Sequence, residues 1–247
     1  VTTFAELHRT GDPLVLPNAW DVASAHCLVE AGFPAVGTTS LGVAAAAGLP
    51  DGVGAAEAAT LELVRNLAGL AAYVTADIEG GSVSAAVAAA EAGAAGVNVE
   101  DAFGPAEPHA AMIRSVKREA PGLFVNARTD THWLRTGDLT ETLRRVRLYA
   151  DAGADGVFVP GLADPADVAA VVAAVDVPVN ILFLPGRTTV AGLAELGVRR
   201  ISAGSLLFRA ALAATLRTAL AVRDGADVDA GLPAYADVNA WADQSAR

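Results

Sequence analysis

Residues 71–81, Ala-Ala-Tyr-Val-Thr-Ala-Asp-Ile-Glu-Gly-Gly, join an apolar run to an acidic pair and close on two glycines. The run at 71–74 reads as a buried strand. Strand alternation then sends the side chains of Asp77 and Glu79 one way and Ile78 the other. Two carboxylates side by side at a strand end repel each other, and burying them unpaired is costly. A hard divalent cation resolves the conflict. Glu100 and Asp101 repeat the arrangement after the next apolar run, Gly96-Val97-Asn98-Val99. One such pair is as readily a solvated loop; two pairs ending successive strands point to a metal site.

The alternation continues in both directions from this stretch. Strands are expected near 14–17, 35–39, 72–77, 96–99, 123–127, 156–159, 178–182 and 199–202. Helices are expected near 20–31, 55–68, 82–92, 108–119, 138–152, 165–174, 188–195 and 204–222. Alternating strands and helices imply a parallel sheet with right-handed crossovers. A repeat supports the count: Glu30-Ala31-Gly32, Glu91-Ala92-Gly93, Asp151-Ala152-Gly153 and Glu195-Leu196-Gly197 each end a helix just before a strand. Glycine is the expected helix stop, since it tolerates the left-handed conformation. The fold class is therefore α/β, a (β/α)8 TIM-type barrel. A doubly wound open sheet fits less well, because no Gly-x-Gly-x-x-Gly turn follows the first strand. Residues 1–247 are read as one domain with a C-terminal helical extension from about 204 to 247.

Composition excludes several partners. A net charge of −11 argues against nucleic acid and anionic membrane surfaces. No charge-free apolar run is long enough to span a bilayer. The single cysteine, Cys27, cannot form an internal disulfide, so a cytoplasmic location is expected; its place inside the first helix suggests packing. The single lysine, Lys117, lies on the fourth helix, away from the strand ends. Schiff-base and pyridoxal-phosphate chemistry need a lysine at the substrate, and this chain has none to offer. Carbon-bond chemistry would then rest on a metal as electron sink.

Active sites in this fold sit at the C-terminal ends of the strands. Read in order, those ends carry Asn18 to Asp21, Thr38 to Ser40, Asp77 and Glu79, Asn98 to Asp101, Asn126 to Asp130, Pro160 and Gly161, Asn180, and Ser202 to Ser205. Arg128 should point into the barrel mouth, where a guanidinium suits a carboxylate or phosphate. An ion pair with Asp130 or Asp101 is the equally weighted alternative. Thr39-Ser40-Leu41-Gly42 offers N–H groups and hydroxyls for an oxyanion. Asp21 reads as a helix cap and His8 and His26 as structural. His109 and His132 fall on rim loops.

The segments "GTTSLGVAAAAGLPDG", "TADIEGG", "GVNVED" and "NARTD", in this order, resemble the isocitrate lyase and phosphoenolpyruvate mutase superfamily. The resemblance implies a barrel that uses Mg²⁺, with Mn²⁺ as a substitute, on 2-oxo acids or their enols. It implies Asp77 as direct metal ligand, with Asp51, Glu79 and Glu100 holding the metal through waters. Thr39, Ser40 and Leu41 would clasp the substrate carboxylate and carbonyl, with Trp20 beside them and Arg128 as anchor. Asn180 is added to the substrate set from its strand-end position, and Arg128, Glu100 and Asp51 are expected to be catalytic. The last barrel helix would be exchanged between subunits of a homodimer or homotetramer.

One departure matters. Where isocitrate and methylisocitrate lyases carry a Lys-Arg-Cys-Gly loop, this chain has Ala102-Phe103-Gly104-Pro105, with Glu107 and His109 following as alternative acids. The mutase loop lysine is absent too. The expected function is a Mg²⁺-dependent carbon–carbon lyase or decarboxylase acting on a small 2-oxo or 2-hydroxy acid. The rivals are a phosphonomutase or phosphonate hydrolase, and a non-catalytic 2-oxo-acid binder.

Overall fold

All four helix-stop glycines adopt the left-handed backbone the repeat requires: φ is 91° at Gly32, 103° at Gly93, 97° at Gly153 and 86° at Gly197. Each reverses the chain from a helix into a strand, and the computed structural model, which describes residues 2–9 and 11–244, is built from that unit. The strands are β1 (Leu14–Leu16), β2 (Asn18–Ala19), β3 (Ala35–Thr38), β4 (Tyr73–Asp77), β5 (Gly96–Glu100), β6 (Phe124–Arg128), β7 (Gly156–Val159), β8 (Val179–Leu182) and β9 (Arg200–Ser202). The helices are α1 (Val22–Glu30), α2 (Ser40–Ala46), α3 (Glu57–Asn66), α4 (Val83–Glu91), α5 (Ala106–Glu119), α6 (Leu139–Asp151), α7 (Pro165–Ala173), α8 (Val190–Glu195), α9 (Leu206–Asp224) and α10 (Tyr235–Gln244).

The sheet runs β1-β9-β8-β7-β6-β5-β4-β3-β2, with every pairing parallel. Its two ends are β1, which falls within the strand expected at 14–17, and β2, which lies just beyond it, the two being divided at Pro17. Proline has no N–H to donate; its carbonyl accepts from Gly37 N–H at 2.9 Å. The strand before Pro17 pairs with β9 and the one after it with β3, so the ring closes as a TIM-type barrel. One helix departs from expectation: α2 occupies a segment read as a loop. Within the expected C-terminal helical extension, α10 docks on α1, where Trp241 Nε1–H donates to Glu30 Oε1 at 2.7 Å.

Alternation divides the side chains. Val36, Val97, Val99, Val125, Val157, Val159 and Ile181 are fully buried against the helices, each worth about 1.5–3 kcal/mol in burial. The lumen is polar instead. Arg200 Nη2 reaches Asn98 Oδ1 at 3.2 Å, from β9 to the non-adjacent β5, so this bond crosses the barrel. Asn126 donates to the same oxygen at 2.8 Å, and Asn180 and Arg200 Nε both donate to Ser202 Oγ.

The N-terminal end of the barrel is plugged by Phe4, Leu14, Leu16, Ala35 and Phe124. His8 stacks on Phe124, with centroids 4.4 Å apart, and its Nδ1 bonds Phe4 O at 2.8 Å. Burial, reinforced by the Arg200 charge, lowers its pKa from 6.5 to about 4. The unfolded chain accepts a proton near 6.5 that the folded protein refuses until about 4. Stability from this group is therefore complete above the upper value and falls through that window by roughly 3 kcal/mol. His8→Phe keeps a ring on Phe124. It should narrow the gap between urea midpoints measured at about pH 7.5 and about pH 5; an unchanged gap would place the acid sensitivity elsewhere.

Cys27 corrects an expectation. The buried residues of α1 are Ala25 and His26, and this helical phase turns Cys27 outward to the surface.

Candidate active site

Three backbone bonds align the strand ends that carry the acids. Glu100 N–H donates to Glu79 O at 2.9 Å, Ile78 N–H to Asn98 O at 3.2 Å, and Asp101 N–H to Arg128 O at 3.1 Å. Asp77, the last residue of β4, is fixed by its own N–H on Thr38 Oγ1 at 2.8 Å. Its Oδ1 accepts from Glu79 N–H at 3.4 Å. Asp77 makes no ion pair among the described residues, and burial raises its pKa against the pull of Arg128.

Glu79 faces a different task. Its backbone is left-handed, with φ 53°, and its Oε2 accepts from Gly54 N–H at 2.7 Å. It thereby holds the loop that carries Asp51, and it does not line the cavity described next.

The cavity has a volume of about 290 Å³ at the C-terminal mouth. Asp51, Asp77, Glu100 and Arg128 line it together with Thr39, Ser40 and Leu41, as the sequence suggested. Thr39 is the N-cap of α2, so Ser40 and Leu41 form its first turn, where N–H groups lack intrahelical partners. Gly42 permits this geometry, since a Cβ there would lie 2.8 Å from Trp20 Cβ and 2.7 Å from Thr39 Cγ2.

Two expected substrate residues are placed elsewhere. Trp20 packs edge-on against Phe208, with centroids 5.4 Å apart, and Asn180 is buried in the lumen on Ser202. Neither is among the lining residues.

Arg128 is both anchor candidate and ion pair. Its Nη1 lies 2.6 Å from Glu100 Oε2 and its Nε 2.7 Å from Asp130 Oδ1. Burial pushes Glu100 up to about 8 against the attraction of Arg128, with Asp77, Asp130 and Glu79 adding to the push. Asp101 is not the partner of Arg128. It accepts from Arg145 Nη1 and Tyr149 Oη, both at 2.7 Å, and from the N–H groups of Phe103 and Asp130 at 2.8 and 3.0 Å. Burial opposes ionisation there, yet these donors hold its pKa below the usual range. Arg145 also lies over the Phe103 ring, 4.6 Å from its centroid, which pins the turn after β5. Glu107 is exposed on Arg144, and His109 is buried edge-on to Tyr149; neither lines the cavity.

The structure adds Asp130, Phe158, Trp133 and Leu134 to the lining. The apolar pair Trp133-Leu134 in an otherwise polar loop was the available signal.

No three His, Cys, Asp or Glu side chains among the described residues converge closely enough to enclose an ion. The donor set nevertheless suits Mg²⁺. This ion keeps several waters and needs only one or two carboxylates, and Asp77 is a partly buried carboxylate that lines the cavity and makes no ion pair among the described residues.

Compared with known proteins, residues 4–223 match the phosphoenolpyruvate phosphomutase family pattern. The chain belongs to that family. An uncharacterized Mycobacterium tuberculosis protein is 45% identical over 248 residues, covering 96% of this chain and 95% of its own. The 2-methylisocitrate lyase of Bacillus subtilis is 31% identical over 175 residues, 63% of this chain and 58% of that one. A lyase/mutase candidate from Burkholderia cenocepacia superimposes with a TM-score of 0.85 at 35% identity, over 97% of this chain and 94% of its own. The isocitrate lyase and phosphoenolpyruvate mutase superfamily assignment follows, and a lyase-type function fits it.

Proposed function

We propose that this protein is a Mg²⁺-dependent carbon–carbon lyase acting on a small 2-oxo or 2-hydroxy acid. The observation that carries the reading is Asp77, a partly buried carboxylate without an ion-pair partner among the described residues, sharing one cavity with Asp51, Glu100, Arg128 and the first turn of α2. Bound Mg²⁺, or Mn²⁺ in its place, would supply the positive charge that offsets an enolate as the carbon–carbon bond breaks.

The chain does the rest. Asp77 would hold the cation directly, while Asp51 and Glu100 orient its waters and Glu79 fixes the Asp51 loop. The first turn of α2 would receive the substrate carboxylate, and Arg128 would steady the reacting end, itself aimed by Glu100 and Asp130. A phosphonomutase or hydrolase reading is weaker, since the 102–105 turn offers no lysine.

The test is incubation with Mg²⁺ and a series of 2-oxo and 2-hydroxy acids, following release of a 2-oxo acid with and without chelator. Chelator-sensitive cleavage of any member supports the lyase. Tight binding without turnover of any acid would leave a 2-oxo-acid binder.

Assembly is part of the same proposal. Leu212, Leu216 and Leu220, spaced by four on α9, are exposed at 54%, 62% and 38%. That apolar stripe suits a helix exchanged with, or packed on, a second copy in a homodimer or homotetramer, and light scattering reads the outcome. An exposed lone cysteine suits a reducing cytoplasm. No helix of the described residues is long and apolar enough to cross a membrane.

A further inference from the structure

The cavity is lined by two kinds of side chain. Asp51, Asp77, Glu100 and Asp130 present four carboxylates against the single guanidinium of Arg128. A divalent cation leaves one negative charge over when all four are ionised, before any substrate arrives. The apolar lining comprises Leu41, Trp133, Leu134, Phe158, Pro160 and Leu182. Trp133 and Leu134 are 51% and 47% exposed, apolar surface facing an open mouth.

Among the described residues, the cavity lining holds no cation besides Arg128 to serve a second anionic group. Arg145 is committed to Asp101 and Glu141, and Arg144 to Glu141 and Glu107. The turn after β5, Ala102-Phe103-Gly104-Pro105, carries none. Gly204 N–H, where α9 begins, is already given to Asn18 Oδ1 at 2.7 Å. Arg135 sits on the Trp133 loop but is exposed and outside the lining.

Resting on the lyase reading above, we propose that the substrate is a monocarboxylate, a 4-hydroxy-2-oxo acid with an apolar tail, cleaved to pyruvate and an uncharged aldehyde. Carboxylate and 2-oxo group sit among the carboxylates and the first turn of α2; the tail lies on Trp133 and Leu134. The C3–C4 bond breaks and its electron pair passes into the enolate of pyruvate. The C4 hydroxyl gives its proton to a cavity carboxylate and becomes the aldehyde carbonyl, and that proton returns to C3. Atoms and electrons balance without a further reactant.

The experiment measures pyruvate release, with Mg²⁺, from 4-hydroxy-2-oxo acids of five, six and seven carbons and from the dicarboxylate 4-hydroxy-2-oxoglutarate. Oxalate binding is titrated alongside. Each added methylene should raise kcat/KM about fourfold until the wall is covered. The dicarboxylate should fall about tenfold or more below the five-carbon acid, for want of a counter-charge. Trp133→Ala and Leu134→Ala should flatten the chain-length dependence, while Arg135→Ala leaves the preference unchanged. Dicarboxylate turnover equal to the five-carbon acid, a chain-length dependence that survives both wall variants, or oxalate binding with no cleavage of the series overturns this inference alone. Absence of Mg²⁺-dependent oxalate binding overturns the lyase reading with it.

Discussion

Asp77→Ala is expected to lower Mg²⁺-dependent turnover by roughly 10³-fold or more, about 4 kcal/mol of barrier, without unfolding the protein. The two halves of that expectation have different origins. On the proposed reading, turnover would be lost because Asp77 is the partly buried carboxylate that would touch the cation, whereas Asp51 and Glu100 would act through its waters. The fold survives because burial raises the Asp77 pKa, so the ionised group opposes folding when no cation is present. Metal-free Asp77→Ala protein should melt no lower than the parent. Mg²⁺ at 100 times its dissociation constant should stabilise the parent by about 2.7 kcal/mol and the variant hardly at all. Thermal melts with and without Mg²⁺ read both effects. Unchanged Mg²⁺ affinity by calorimetry would remove Asp77 from the metal site.

Arg128→Lys should damage activity and stability together. The guanidinium reaches Glu100 through Nη1 and Asp130 through Nε, geometry a single ammonium cannot reproduce. Losing one charge-assisted bond of about 1.5–3 kcal/mol predicts roughly a tenfold to hundredfold fall in kcat/KM. The same change leaves one of two buried carboxylates poorly paired, so the melting temperature should also fall. A lowered melting temperature with kcat/KM intact in the folded fraction would make Arg128 structural only. Mg²⁺ affinity should hardly respond, since Arg128 is not a ligand.

The barrel was readable because its punctuation is local. Gly32, Gly93, Gly153 and Gly197 announce helix ends by composition, and Val-rich runs announce strands between them. α2 was not, because Ser-Leu-Gly-Val-Ala-Ala-Ala is short and contains Gly42, whose need for close approach to Trp20 is a tertiary fact. The clustering of Asp51, Asp77 and Glu100 followed from strand ends and from the resemblance. The partners of the charges did not. Asp101 pairs with Arg145, 44 residues away, and nothing local separates it from Asp130 as a companion for Arg128. Trp20 and Asn180 share the strand-end positions of true lining residues, and only packing against Phe208 and Ser202 turns them aside.

The division at Pro17 also bears on the order in which the molecule assembles. Most strand neighbours in this sheet are consecutive β/α units, joined through one crossover. The β1–β9 junction instead ties the start of the chain to its end, and the nearby Gly204–Asn18 bond spans 186 residues. Loop-closure entropy disfavours so long a loop until the intervening strands have shortened it. Proline removes an amide from the strand that must complete the circle. On loop-closure entropy alone, this seam is expected to be the last part of the ring to latch, and hydrogen exchange at β1 and β9 would read it.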